Sequence, residues 1–156
     1  MITVAALRPC ELFAGLSDQE LAEIAAIARE EAYQCGQEIF REQGLAVRLF
    51  ILQSGRVQLQ IHLRSSLQPD GEVTIEDVEP GRIFGWSSLV NQRRFTASAR
   101  ALEPVSVIAL DAAELNALFN RNAHIGFVVM KQLAEVIASR LHLTRARLEE
   151  EEVRGC

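Results

Sequence analysis

Residues 48–64 read RLFILQSGRVQLQIHLR, and this stretch decides the fold. Val57, Leu59, Ile61 and Leu63 take every second place, with Arg56, Gln58, Gln60, His62 and Arg64 between them. A period of two sends alternate side chains to opposite faces of an extended chain, so this is a strand with one face buried and one in water. Ahead of it, residues 48–53 form a second strand candidate, and Gly55 stands at the corner between the two.

Further strand candidates are residues 38–41, 72–75 and 105–110, bounded by Gly36, Gly44, Gly71, Gly81 and Pro104. Many short strands with glycine corners predict a roll or barrel. Pro69-Asp70-Gly71 combines a preset φ, a turn-forming side chain and a residue tolerant of positive φ, which predicts a hairpin tip.

Helical spacing flanks these strands. Ser17 with Glu20 makes a capping-box pattern ahead of Leu21, Ile24, Ala25 and Ala28, predicting a helix over residues 17–29. Asp111 with Glu114 repeats the pattern ahead of Leu115, Leu118 and Phe119, for a short helix. A longer helix should start near Asn122 and reach Glu150 or beyond, since no proline interrupts it and Gly126 is the only glycine before Gly155. Within it Ala134, Ile137, Leu141, Thr144 and Leu148 alternate spacings of three and four, the seam of a parallel coiled-coil homodimer. The alternative is that this stripe packs on the chain's own roll. Glutamates 149–152 oppose the helix dipole, so the last turn should fray.

Bulk properties narrow the class. A chain of 156 residues, 49% hydrophobic, suits one domain over residues 1–156, with the roll at about 33–111 and the C-terminal helices at about 111–152. The net charge of −5 argues against a dedicated nucleic-acid surface, which needs clustered Lys and Arg. No apolar run approaches the roughly 20 residues of a membrane span, and the start MITVAALRPCELF lacks the order of a secretory signal, so a cytoplasmic location is expected. Cys10, Cys35 and Cys156 have no CxxC spacing and read as free thiols. His62, His124 and His142 lie far apart, which disfavours a metal enzyme on a roll scaffold. Cys10 alone does not make an iron–sulfur site, while His62 or His124 stays open as a haem ligand. No catalytic residue, metal or cofactor is expected.

The order of helix, short strands, last strand and two helices resembles the cyclic-nucleotide-binding domain of the catabolite-activator and FNR-like regulators. RLFILQSGRVQLQ and the stretch PGRIFGWSSLVNQRRFTASARAL, residues 80–102, carry the resemblance. It implies a mainly β fold, a double-stranded β-helix or jelly-roll-like β-roll, with an N-terminal helix and a long C-terminal dimerisation helix. It also implies a phosphate-binding segment at residues 85–90 that uses the amides of a short helix.

Two positions depart from the family pattern. Trp86 stands where nucleotide-binding members have a Glu for the ribose hydroxyl, and Phe95 where they have an Arg for the phosphate. Arg93 and Arg94 lie just upstream as substitute cations, and Ser87, Ser88 and Thr96 keep hydroxyl donors. Gly85, Trp86, Ser87, Ser88, Arg93, Arg94, Phe95, Thr96 and Ala97 are therefore the candidate ligand-binding residues, for a small effector, nucleotide-like or flat and apolar. The alternative is that Trp86 and Phe95 fill the pocket and leave a ligand-free dimerising scaffold. The family's transcription factors continue into a helix-turn-helix, whereas this sequence stops at Cys156, so no DNA binding by this chain alone is expected.

Overall fold

The computed structural model describes residues 1–63, 71–90 and 93–154, and the turn expected at Pro69-Asp70 lies outside them. In chain order the elements are α1 (Val4–Leu7), α2 (Asp18–Ala25), β1 (Ala28–Tyr33), β2 (Glu38–Phe40), β3 (Arg48–Ser54), β4 (Val57–Leu63), β5 (Gly71–Val78), β6 (Ile83–Phe84), β7 (Ser98–Ala101), β8 (Val105–Asp111), α3 (Ala112–Arg121) and α4 (Ala123–Arg154). A 3-10 turn at Trp86–Ser88 follows β6.

The strands form two four-stranded sheets, ordered β1-β8-β3-β6 and β2-β7-β4-β5, with antiparallel pairing throughout. They face each other as a roll. β3 and β4 are consecutive yet belong to different sheets, and Gly55 turns the chain between them at φ +92°. A Cβ there would sit 2.6 Å from both the Pro104 carbonyl oxygen and Val105 Cγ1, so no other residue fits this corner.

The two sheets have different surroundings, which explains their different sequence patterns. Phe50, Leu52, Val105, Val107 and Ala109 point between the sheets, together with Val57, Leu59 and Ala99. Leu49, Ile51, Ile108 and Leu110 point the other way, into a second apolar cluster made with Leu21, Leu115, Leu118, Ile125 and Leu133 of the helices. β3 and β8 are thus buried on both faces and read as continuous apolar runs, while β4 keeps Gln58 and Gln60 toward solvent and alternates.

Several boundaries differ from the sequence expectation. The Ser17–Glu20 capping box forms, but α2 ends at Ala25 because Ala28 already pairs with Leu110, and the roll begins there rather than at residue 33. Asp111 makes no side-chain cap to α3, and its backbone is still paired with Arg48 at the end of β8. Cys10 and Cys35 are free thiols, and burial pushes the Cys10 thiol up to about 12, above its ordinary value. Among the described residues no three His, Cys, Asp or Glu side chains converge as a metal site, and no helix is long and apolar enough to cross a membrane.

Candidate functional site

The loop after β6 is shaped by Gly85, which takes φ +80°. A Cβ on it would lie 3.2 Å from Phe50 Cδ2, 3.3 Å from the Arg48 carbonyl oxygen and 3.3 Å from Phe40 Cε2, so the close approach and the left-handed backbone both require glycine. The 3-10 turn closes with the Leu89 amide donating to the Trp86 carbonyl at 2.8 Å, and the Ser88 hydroxyl donates to the Gly85 carbonyl at 3.0 Å. The returning chain is clasped to residues 43–46: Phe95 donates to the Gly44 carbonyl, Gln43 to the Phe95 carbonyl and Ala46 to the Arg93 carbonyl, each at 2.9 Å. This clasp fixes which way Phe95 faces.

Between these loops lies a cavity of about 50 Å³. Gly85, Trp86 and Ser87 line it from one loop and Phe95, Thr96 and Ala97 from the other, so six of the nine residues expected from the sequence come together. Ser88, Arg93 and Arg94 are not in its wall. Arg94 is exposed and donates to the Gln43 carbonyl at 2.7 Å, and Arg93 is exposed as well, so neither guanidinium supplies charge to the cavity in this conformation. The remaining wall comes from Phe40, Leu59 and Ile75. Leu59 was legible as an inward position of the alternating strand, whereas nothing in the local pattern around Phe40 marked it.

Phe95 is buried and lies flat on Phe40, with ring centroids 3.8 Å apart and planes 13° from parallel. Phe40 continues the column to Phe50 and Phe84, at 5.7 and 5.9 Å. The space that remains suits a few waters, each needing roughly 10–15 Å³, and is far too small for a nucleotide without movement of a ring.

Trp86 separates this cavity from the helices. One aspect of the indole lines the cavity, and another packs on the helix-side cluster with the Arg140 guanidinium 5.1 Å from its ring centroid. Arg140, on α4, is 3% exposed. It donates to the Ile83 carbonyl and, at 2.8 Å, to Glu11 Oε2, which also accepts the Ile83 amide at 2.8 Å. Its Nε is 3.1 Å from Glu76 Oε1, an ion-pair distance without hydrogen-bond alignment, so Arg140 Nε and Glu76 Oε2 are both buried without a hydrogen-bond partner. Burial is the main cause holding the Glu76 carboxyl above the usual carboxylate range, against the pull of Arg140. Arg147, lower on α4, pairs with Asp77 at 3.2 Å. Sequence reasoning missed Arg140, although its place four residues after Val136 is in phase with the buried Ile125, Val129 and Leu133.

The expected seam on α4 is divided. Ala134 and Leu141 are exposed, Thr144 is half-buried, and Ile137 packs partly on the chain's own helix-side cluster. The side chain of Leu148 lies outside the described residues. Phe127 and Met130, at 65% and 38% exposure, continue the same spacing toward the N-terminus of the helix.

A family model described as "Cyclic nucleotide-binding domain" matches residues 30–122. Cyclic AMP receptor protein from Thermus thermophilus is 31% identical over 131 residues, 83% of this chain and 56% of the receptor. Glutaminase 1 from Bradyrhizobium diazoefficiens is 30% identical over 140 residues, 88% of this chain and 21% of the glutaminase, so the chain spans only part of these relatives. Among solved structures, a candidate cyclic nucleotide-binding protein from Geobacter metallireducens GS-15 superposes with a TM-score of 0.76 at 37% identity, covering 91% of this chain and 100% of that one. The N-terminal domain of a transcriptional regulator from Streptomyces coelicolor A3(2) gives 0.72 at 27%, covering 86% and 93%.

Proposed function

The chain belongs to the cyclic nucleotide-binding domain family, with the β-roll of its catabolite-activator-like regulators, and from that premise we propose that it is a sensor for an effector other than cyclic AMP or cyclic GMP. The observation that carries this reading is the Phe95–Phe40 stack at 3.8 Å. A phosphate entering here meets a phenyl ring where the resemblance calls for a guanidinium, and a ribose meets the Trp86 indole where it calls for a carboxylate. Flat or apolar molecules suit such walls, with Ser87 and Thr96 as the polar groups that fix orientation. The effector's occupancy passes to a partner copy through α4, whose outward stripe is apolar.

Calorimetry with both nucleotides, on the wild type and on the Trp86→Glu, Phe95→Arg double variant, tests the reading. Two charged hydrogen-bonding ligands are worth together about 3–6 kcal/mol, or roughly 10²–10⁴-fold in affinity, so the wild type should bind at millimolar concentration or not at all. Micromolar binding by the wild type would overturn the proposal. The small size of the cavity, about 50 Å³, favours one further reading, a ligand-free dimerising scaffold. A purified chain with no copurifying small molecule in its mass spectrum, and no ligand-induced stabilisation across a panel of aromatic compounds, would select the scaffold.

A further inference from the structure

Arg140 is the one charged side chain among the described residues that is fully buried, and its contacts come from four separate places in the chain. Glu11 belongs to the N-terminal segment, the Ile83 carbonyl to β6, Glu76 to β5, and Trp86 to the cavity loop. A guanidinium needs hydrogen-bond acceptors in its plane and tolerates a π face above it, and this site supplies both. The in-plane acceptors tie the midpoint of α4 to β6 and the N-terminal segment. The face is covered by Trp86, whose indole is also cavity wall. Moving the indole into or out of the cavity therefore covers or uncovers a buried cation. Uncovering it is the costly direction, because a cation deprived of a partner in a dry site loses far more than one in water.

The ion pair with Glu76 leaves the arrangement open to adjustment. One Glu76 oxygen and the Arg140 Nε have no hydrogen-bond partner. With the Nε already 3.1 Å from Oε1, a small rotation of either side chain would bring its N–H into line with the carboxylate.

We propose that Arg140 is a positioning residue for the cavity: through the back of Trp86 it sets where the indole stands, and so couples the room available in the cavity to the seating of α4. Its use in sensing rests on the effector reading above, but the coupling itself does not. Because coupling is reciprocal, a change imposed on either side must appear on the other, and both directions can be measured without an effector.

The chain holds a single tryptophan, so emission excited at the red edge, where Tyr33 does not absorb, reports Trp86 alone. In the full chain Arg140→Met should shift that emission to longer wavelength and raise acrylamide quenching by about two-fold or more, and Arg140→Lys, which keeps the cation, should fall between it and the wild type. If Arg140→Met does not fold because Glu11 and Glu76 are left facing each other, the Glu76→Gln, Arg140→Met double variant removes one of the two charges. In the reverse direction, Trp86→Ala should raise amide hydrogen exchange in α4 around residues 136–144 several-fold while β3 and β8 keep their protection. A folded Arg140→Met or double variant whose emission and quenching match the wild type would overturn the proposal. So would unchanged α4 exchange in Trp86→Ala. A missing effector would overturn only the sensor reading and leave these results as they stand.

Discussion

The inward and outward stripes of α4 are built from the same kinds of residue but end in different states. Ile125, Val129 and Leu133 point inward and are at most 1% exposed, and Arg140 continues that line with its charge fully enclosed. Phe127, Met130 and Leu141 point outward, and Phe127 and Leu141 keep 65% and 60% of their surface. The first stripe is completed by this chain's own roll. The second presents an apolar row at coiled-coil spacing that the chain does not cover, and Ile137 lies on the border between them, partly packed on the roll. Of the two apolar stripes on this helix, the fold itself covers one and leaves the other in water.

Substitutions that act on one stripe at a time can break or sharpen this contrast. The largest effect belongs to the inward side. Leu133→Ala deletes a side chain that is 1% exposed and should cost about 2–5 kcal/mol in urea unfolding. A loss below about 1 kcal/mol would mean that α4 is not seated as described. On the outward side Leu141→Glu should leave the unfolding midpoint of the monomer within about 0.5 kcal/mol. It should nevertheless weaken self-association by roughly 100-fold or more in light scattering, since an unpaired carboxylate in a dry seam costs several kcal/mol. A wild-type chain that is monomeric at micromolar concentration would refute the seam.

The smallest effect concerns the seat of Arg140. Burial raises the Glu76 carboxyl above its ordinary value, so the folded chain holds that proton to higher pH than the unfolded chain does. The contribution of Glu76 to stability is therefore greatest at acid pH and declines as pH rises from the ordinary glutamate range through the raised folded value. In Glu76→Gln that decline is absent, so unfolding midpoints measured from acid to neutral pH should move in the variant's favour as pH rises. Parallel curves would show that Glu76 is ordinary.

How far the sequence disclosed all this depended on how many surfaces each element shares. β4 faces one core and water, and its alternation was legible residue by residue. β1, reading AREEAY, is a sheet edge with only weak burial, and it follows α2 with no glycine or proline between, so the helix expected over residues 17–29 overran its start and its remainder carried no strand signal. The loop residues Gly85, Trp86 and Phe95 were found through their family motif, yet their directions were not. The ring of Phe95 turns inward because of the clasp with residues 43–46, a contact between segments about 50 residues apart. Arg140 stayed hidden for a related reason. A charged side chain at an inward helical position reads as an interruption of the stripe until the acceptors from Glu11, Ile83 and Glu76 are seen around it.

The double-sided burial of β3 and β8 also has a mechanical consequence. A sheet whose middle strands carry packed side chains above and below behaves like a beam with two flanges: depth makes it stiff, and close packing leaves no slack for bending. The edge strands β5 and β6 lack that depth, and the cavity opens between the edge strand β5 and the loop leaving β6. Those softer margins are also where the roll meets the middle of α4, since Glu76 of β5 and the Ile83 carbonyl of β6 both contact Arg140.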